Sequence, residues 1–192
     1  MDYHLAIDGT PDSVPGGTAI LLFHPSTGGT DSIDTGFLRS DTDRFLVVST
    51  RTTAREVQQK LDHYDIDGSR ADILDTISVE RGYSRRGGEN LHYVSAPDDV
   101  DGILQTVEGF LDGHAGKRRI SFDSISELAY YAGDERAAMA LERLSDLLDR
   151  YEAIGLLHVS PEVHDTDTLE RFEAACDAQI EVTAEGELRA DF

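Results

Sequence analysis

The chain has 192 residues, 39% of them hydrophobic, which is enough for one domain with a buried core and too apolar for a disordered chain. Acidic residues number 38 against 17 basic ones, a formal charge of −21 that argues against nonspecific binding to nucleic-acid phosphates. The single cysteine, Cys176, excludes an internal disulfide, and no apolar run reaches the ~20 residues of a membrane span.

Only Lys60 and Lys117 are lysine; the other basic residues are arginine. An acidic, lysine-poor surface suits a protein kept soluble in molar salt, where a Debye length of roughly 3 Å screens self-repulsion. With no signal-peptide pattern at the N-terminus, the expectation is a cytoplasmic protein of a halophilic archaeon.

Along the chain, residues 3–7 read as an extended piece and 11–17 as a Pro/Gly-rich turn. Residues 18–23 form a continuous apolar strand, followed by a Gly-containing loop and a short helix over 32–39 that Gly36 weakens. A second buried strand spans 44–49, and 53–64 has helical spacing with Val57, Leu61 and Tyr64 on one face. A third strand spans 72–77, and the polar stretch 80–90, with Gly82, Gly87 and Gly88, reads as a mobile loop. Pro97-Asp98-Asp99 opens a helix whose apolar face is Val100, Ile103, Leu104, Val107 and Leu111. Then follow a strand at 119–123, helices at 124–132 and 134–150, a strand at 154–159, a helix at 166–176, a strand at 179–182 and an edge strand at 187–190.

This alternation predicts one α/β domain over 1–192, with its core at about 14–183. It is a three-layer fold, a mainly parallel central sheet with helices on both faces. Ligands in such folds sit at the carboxyl ends of the strands, which here are 24–32, 49–53, 123–126 and 159–164.

The first of these ends, His24-Pro-Ser-Thr-Gly28-Gly29-Thr30-Asp31-Ser32, has the strand–loop–helix layout of a phosphate-binding loop, G-x-x-x-x-G-K-[ST]. Its first glycine is replaced by His24, its lysine by Thr30 and its hydroxyl residue by Asp31. Four blocks resemble the RecA superfamily, and specifically the KaiC-like ATPases. Residues 14–23 resemble the entry to the first core strand, and Phe45-Leu-Val-Val-Ser-Thr50-Arg51 the strand that precedes the catalytic glutamates. Arg119-Ile-Ser-Phe-Asp123-Ser124-Ile-Ser126-Glu-Leu resembles the Walker B strand, and residues 156–165 the late strand with its polar loop. The chain is also similar to a small haloarchaeal branch of KaiC-like proteins. The resemblance implies a P-loop NTPase-like fold and a nucleotide site at Gly28, Gly29, Thr30, Asp31, Ser32 and Asp123.

That site has lost its chemistry. Removing the lysine forfeits a charge-assisted bond of roughly 1.5–3 kcal/mol. Asp31 adds a like charge that repels phosphate by about 1–4 kcal/mol. Together, roughly 3–6 kcal/mol weakens nucleotide binding by a factor of about a hundred to ten thousand. Thr50-Arg51 replaces the glutamates that activate water. Asp31 reads either as a cap on the helix N-terminus, standing in for the missing phosphate, or as a Mg²⁺ ligand. Asp123 reads as a retained carboxylate bonded to Ser124, Ser126 or Ser32, or as a residue orienting Mg²⁺-bound water.

His24, His158 and His164 end up near strand ends but form no compact metal motif. Ser124 and Ser126 lack the G-x-S-x-G elbow of serine hydrolases, and Cys176 reads as a core residue. Two clusters offer a basic patch: Arg81, Arg85 and Arg86, and Lys117, Arg118 and Arg119. Of Tyr130-Tyr131, one ring packs inside and an exposed one can anchor an interface. The reading is a non-catalytic KaiC/RecA-like domain, a regulatory or protein-interaction module. It has no membrane or nucleic-acid partner and no bound cofactor or metal, and it is a monomer or homodimer. The alternatives are a divergent Mg²⁺-dependent ATPase and a nucleic-acid-associated factor.

Salt should therefore stabilise the fold. The melting temperature should rise as KCl increases from low to molar concentration, because screening relieves the repulsion among 38 acidic residues. A melting temperature that is flat or falls with KCl contradicts it.

Overall fold

The computed structural model describes residues 1–83 and 88–192. Arg85 and Arg86 of the first basic cluster lie outside the described residues. The central sheet has eight strands: β3 (Ala19–Phe23), β4 (Arg44–Ser49), β5 (Ala71–Asp75), β6 (Leu91–Tyr93), β7 (Arg118–Phe122), β8 (Ile154–Val159), β9 (Ala178–Val182) and β10 (Leu188–Asp191). Their spatial order is β10-β9-β3-β8-β7-β4-β5-β6. All neighbours pair in parallel except β10 with β9. A separate antiparallel pair, β1 (Asp2–His4) and β2 (Ser13–Pro15), precedes the sheet.

The strand residues alternate between two faces, as a period of two requires. Ala19, Leu21 and Phe23 of β3 point into one core, and Ile20 and Leu22 into the other. The first core is closed by α3 (Val100–Gly113), α4 (Ile125–Ala132), α5 (Asp134–Arg150) and α6 (Thr166–Ala174). The second is closed by α1 (Asp31–Arg39), α2 (Ala54–His63) and the N-terminal segment. Packing therefore begins ahead of residue 14: Tyr3, Leu5 and Ile7 are buried in the second core.

Several boundaries differ from the sequence reading. The turn at 11–17 contains β2, a three-residue strand too short to show a period. β6, also of three residues, directly follows the polar stretch 80–90 and has no counterpart in the sequence reading. Pro97 does not open α3; the Asp99 carboxylate caps it by accepting the Gly102 N–H.

The Lys117–Arg119 cluster is no surface patch. Lys117 pairs with Asp41, and Arg118 donates to the carbonyls of Leu111, His114 and Tyr151. Arg119 is fully buried, 5.4 Å from the Tyr3 ring centroid and 5.0 Å from that of Phe37, and donates to the His4 carbonyl at 2.7 Å. Burial pushes its guanidinium down to about 10. This arginine ties the N-terminal segment to the sheet and is unavailable to any ligand.

Gly36 has a packing reason. A Cβ there would lie 2.1 Å from the Ala6 carbonyl oxygen, so α1 can approach the N-terminal segment only without one. Glycine to alanine in a helix ordinarily stabilises by about 1 kcal/mol. Here Gly36→Ala should instead destabilise by roughly 1–3 kcal/mol from overpacking, read by chemical denaturation. An unchanged or raised midpoint contradicts the contact.

Candidate functional site

β3 delivers its chain into a loop that turns through Gly28 and Gly29, at φ +97° and +98°, before Thr30 leads into α1. Two successive residues in that region are cheap only for glycine. A Cβ at either would meet nothing, so conformation rather than close contact demands the pair. The Gly28 N–H donates to the Pro25 carbonyl at 3.1 Å.

Asp31 does not fold back onto the helix N-terminus, which has no side-chain cap. Asp31 is the first helical residue, and its carboxylate turns sideways to Lys60 of α2, 2.9 Å away. Lys60, and then the Tyr64 hydroxyl, hold this carboxyl below its ordinary value. The carboxylate that does reach a loop amide comes from the turn after the neighbouring strand β8: Glu162 accepts the Ser26 N–H at 2.6 Å. Ser32 is exposed on α1.

Behind the loop lies a polar chain. The Thr30 hydroxyl donates to Asp34 at 3.1 Å, and Lys60 reaches the same carboxylate at 3.5 Å. His158, at the end of β8, stands 2.9 Å from the other Asp34 oxygen. That contact is close but not aligned as a hydrogen bond. His158 Nδ1 faces His24 Nε2 at 3.2 Å, and His24 Nδ1 faces the Pro25 carbonyl at 2.9 Å. Burial pushes His24 down, as does the neighbouring His158. Burial alone would raise the Asp34 carboxyl, but His158, Lys60 and Thr30 outweigh it and hold it at about 2.

Asp123, just past β7, does not bond to Ser124, Ser126 or Ser32. Its carboxylate accepts from the Ser49 hydroxyl at 2.9 Å and from the Thr50 N–H and hydroxyl, both at 2.8 Å. The neighbouring parallel strand β4 ends there, so its last residue and the one after it face Asp123 across the sheet. Thr30 and Asp123 line one cavity of about 200 Å³, with Asp34, His158, Lys60 and Arg51. Gly28, Gly29, Asp31 and Ser32 do not line it. The sequence-expected site residues thus fall into two groups, a loop and a cavity behind it.

The three histidines do not converge. His164 Nε2 lies 2.8 Å from the Ser126 hydroxyl, and its Nδ1 lies 3.3 Å from Asp134. Among the described residues no group of His, Cys, Asp and Glu is arranged to hold a metal ion. Ser124 caps α4 by accepting the Glu127 N–H at 2.9 Å. Cys176 packs at the edge of the first core, and burial pushes its thiol up to about 12. Tyr130 is 79% exposed, with Tyr131 edge-on to it at 5.2 Å. Sequence reasoning missed Asp34, Glu162 and Asp134, since an acid in a first turn or an acidic loop carries no motif. A His–Asp spacing search could not have found pairs that only the fold brings together.

A family model described as "Family of unknown function (DUF7090)" matches residues 1–192. No curated protein matches the chain. Among solved structures, the fold is similar to an uncharacterized protein from Pyrococcus horikoshii in complex with an unknown peptide. The TM-score is 0.67 at 14% identity, covering 92% of this chain and 83% of that one. It is also similar to a KaiC-like protein from Pyrococcus horikoshii OT3, with a TM-score of 0.63 at 16% identity, covering 98% and 86%. A type III secretion system ATPase of pathogenic bacteria aligns with a TM-score of 0.63 at 16% identity, covering 96% and 57%. These likenesses show a RecA-like fold.

Asp34 makes stability acid-sensitive. A carboxyl held at about 2 against an ordinary 3.8 contributes stability that is fully present above the ordinary value and lost as pH falls towards about 2. Asp34→Asn should cost about 2 kcal/mol at neutral pH and flatten the loss of stability between about pH 4 and pH 2. Denaturant titrations across that range check both, and parallel acid curves for the two proteins contradict the assignment.

Proposed function

The chain therefore belongs to the DUF7090 family on a RecA-like fold, and we propose that it is a KaiC/RecA-like pseudo-ATPase domain, inert towards ATP, that works as a regulatory or protein-interaction module. The observation that carries this reading is the fate of Asp123. The residue standing where the resemblance places a catalytic glutamate, Thr50, donates two hydrogen bonds to the Asp123 carboxylate, and Ser49 donates a third. A carboxylate so engaged has little left for Mg²⁺-bound water.

Two further features support it. Asp31 and Asp34 put two carboxylates in the first turns of α1, where a nucleotide phosphate would need positive charge. The lysine that approaches them, Lys60, is spent on that pair. Gly28, Gly29, Thr30, Asp31, Ser32 and Asp123 are on this reading the remnant of a nucleotide site, with no resident cofactor. The partner is a protein or peptide, and the peptide held by the Pyrococcus neighbour supports that class. The exposed Tyr130 is an anchor for it. With no nucleotide between subunits, a monomer or homodimer in the cytoplasm of a halophile is the expected form.

Calorimetry at high KCl with ATP or ADP and Mg²⁺ should give no dissociation constant below about 10 μM. A tighter constant, or Mg²⁺-dependent hydrolysis that Asp123→Ala abolishes, establishes the divergent ATPase instead.

A further inference from the structure

Three junctions, at the starts of the consecutive helices α4 and α5 and after β8, meet at the carboxyl edge of the sheet. Ser126 is the second residue of α4, immediately after the turn that leaves β7. Asp134 is the first residue of α5, placed by Gly133 at φ +92°. His164 closes the short 3-10 turn Pro161–Val163 after β8. The Ser126 hydroxyl lies 2.8 Å from His164 Nε2, and His164 Nδ1 lies 3.3 Å from the Asp134 carboxylate, an ion-pair contact rather than an aligned hydrogen bond. The His164 side chain is 3% exposed and sits edge-on to the Phe172 ring at 5.2 Å, which fixes its plane.

A carboxylate at Nδ1 and a hydroxyl at Nε2 favour the same tautomer, with the proton on Nδ1 and the Nε2 lone pair turned to the hydroxyl. That is the nucleophile–base–orienter order of acyl-transfer sites, which is recognised by geometry rather than by position in the chain. Ser126 Oγ also accepts the Ser160 N–H at 2.9 Å, which pins the oxygen without using its proton.

The surroundings fit a substrate. Ser126, His164, Asp134 and Arg51 line an open cavity of about 440 Å³, with the exposed Tyr130 and Val163 at its rim. Among the described residues Arg51 makes no hydrogen bond or ion pair, although the chain is rich in carboxylates. Ser124 caps α4 by accepting the Glu127 N–H, and the head of this helix, at Ser124 and Ser126, lines the same cavity.

We propose that Ser126, His164 and Asp134 form a serine-nucleophile site that cleaves small carboxylic esters whose acyl part carries an anionic group, held by Arg51. Ser126 Oγ bonds to the ester carbonyl carbon as its proton passes to His164 Nε2. The carbon–oxygen bond to the alcohol then breaks, and the proton leaves with that oxygen. Water repeats the sequence on the acyl-serine, releasing the carboxylic acid and restoring the hydroxyl. The site is separate from the loop at 24–32 and stands whether or not nucleotide binds there.

The test uses the full chain at high KCl with a fluorophosphonate probe, followed by intact-mass and peptide analysis. The expected result is a single adduct on Ser126 with loss of fluoride. Ser126→Ala should take no label, and His164→Gln and Asp134→Asn should label at least about a hundredfold more slowly. Asp134 is 56% exposed, so its variant should keep the wild-type melting temperature even if His164→Gln does not. With p-nitrophenyl hemisuccinate and p-nitrophenyl butyrate as substrates, Arg51→Gln should lower kcat/KM about tenfold for the anionic ester only. Folded wild-type protein without a Ser126 adduct, or labelling that is equal in Asp134→Asn, overturns the proposal.

Discussion

β3, β8, β7 and β4 are parallel, adjacent and almost wholly buried, and that constraint shapes everything else. A parallel sheet with apolar residues on both faces must be covered on both. The chain meets this with α3–α6 on one side and with α1, α2 and the N-terminal segment on the other. Parallel pairing also sends every strand end to the same edge. The loops after β3, β4, β7 and β8 are therefore neighbours, and the polar residues of this chain that could do chemistry meet there.

At that edge the protein supplies its own counter-charges. Burying the Asp34 carboxylate is tolerable only because His158, Lys60 and Thr30 surround it. His158 in turn is steadied by His24, so the strand that begins the loop is tied to the helix that ends it. One register over, Thr50 and Ser49 close on Asp123. Glu162 supplies an anion to a loop amide. The loops at this edge are thus held together by side chains from separate strands and helices.

Much of the architecture was legible in the residues. Runs such as Ile154–Val159 and Arg44–Ser49 are nearly continuous in apolar residues, which marks buried parallel strands, and both were placed to the residue. Asp134–Arg150 was equally clear, because its apolar residues hold one helical face over 17 positions. β2 and β6, at three residues each, are too short to carry a period. The site was less legible. Asp31 was read as a cap from its place beside the helix start, yet the side chain of a first helical residue points across to α2, and Lys60 drew it there.

By itself, the sequence determined the fold class, the buried strands and a charge of −21, because local periodicity and residue identity suffice for each. Only the tertiary structure decided which partners the charged groups take. Asp34 with His158, Asp123 with Thr50, Glu162 with Ser26, and Ser126 with His164 and Asp134 all join separate loops or helices. No spacing along the chain encodes such pairs. They exist because parallel strands bring distant segments to a common edge, where burial makes an unpaired charge too costly to leave.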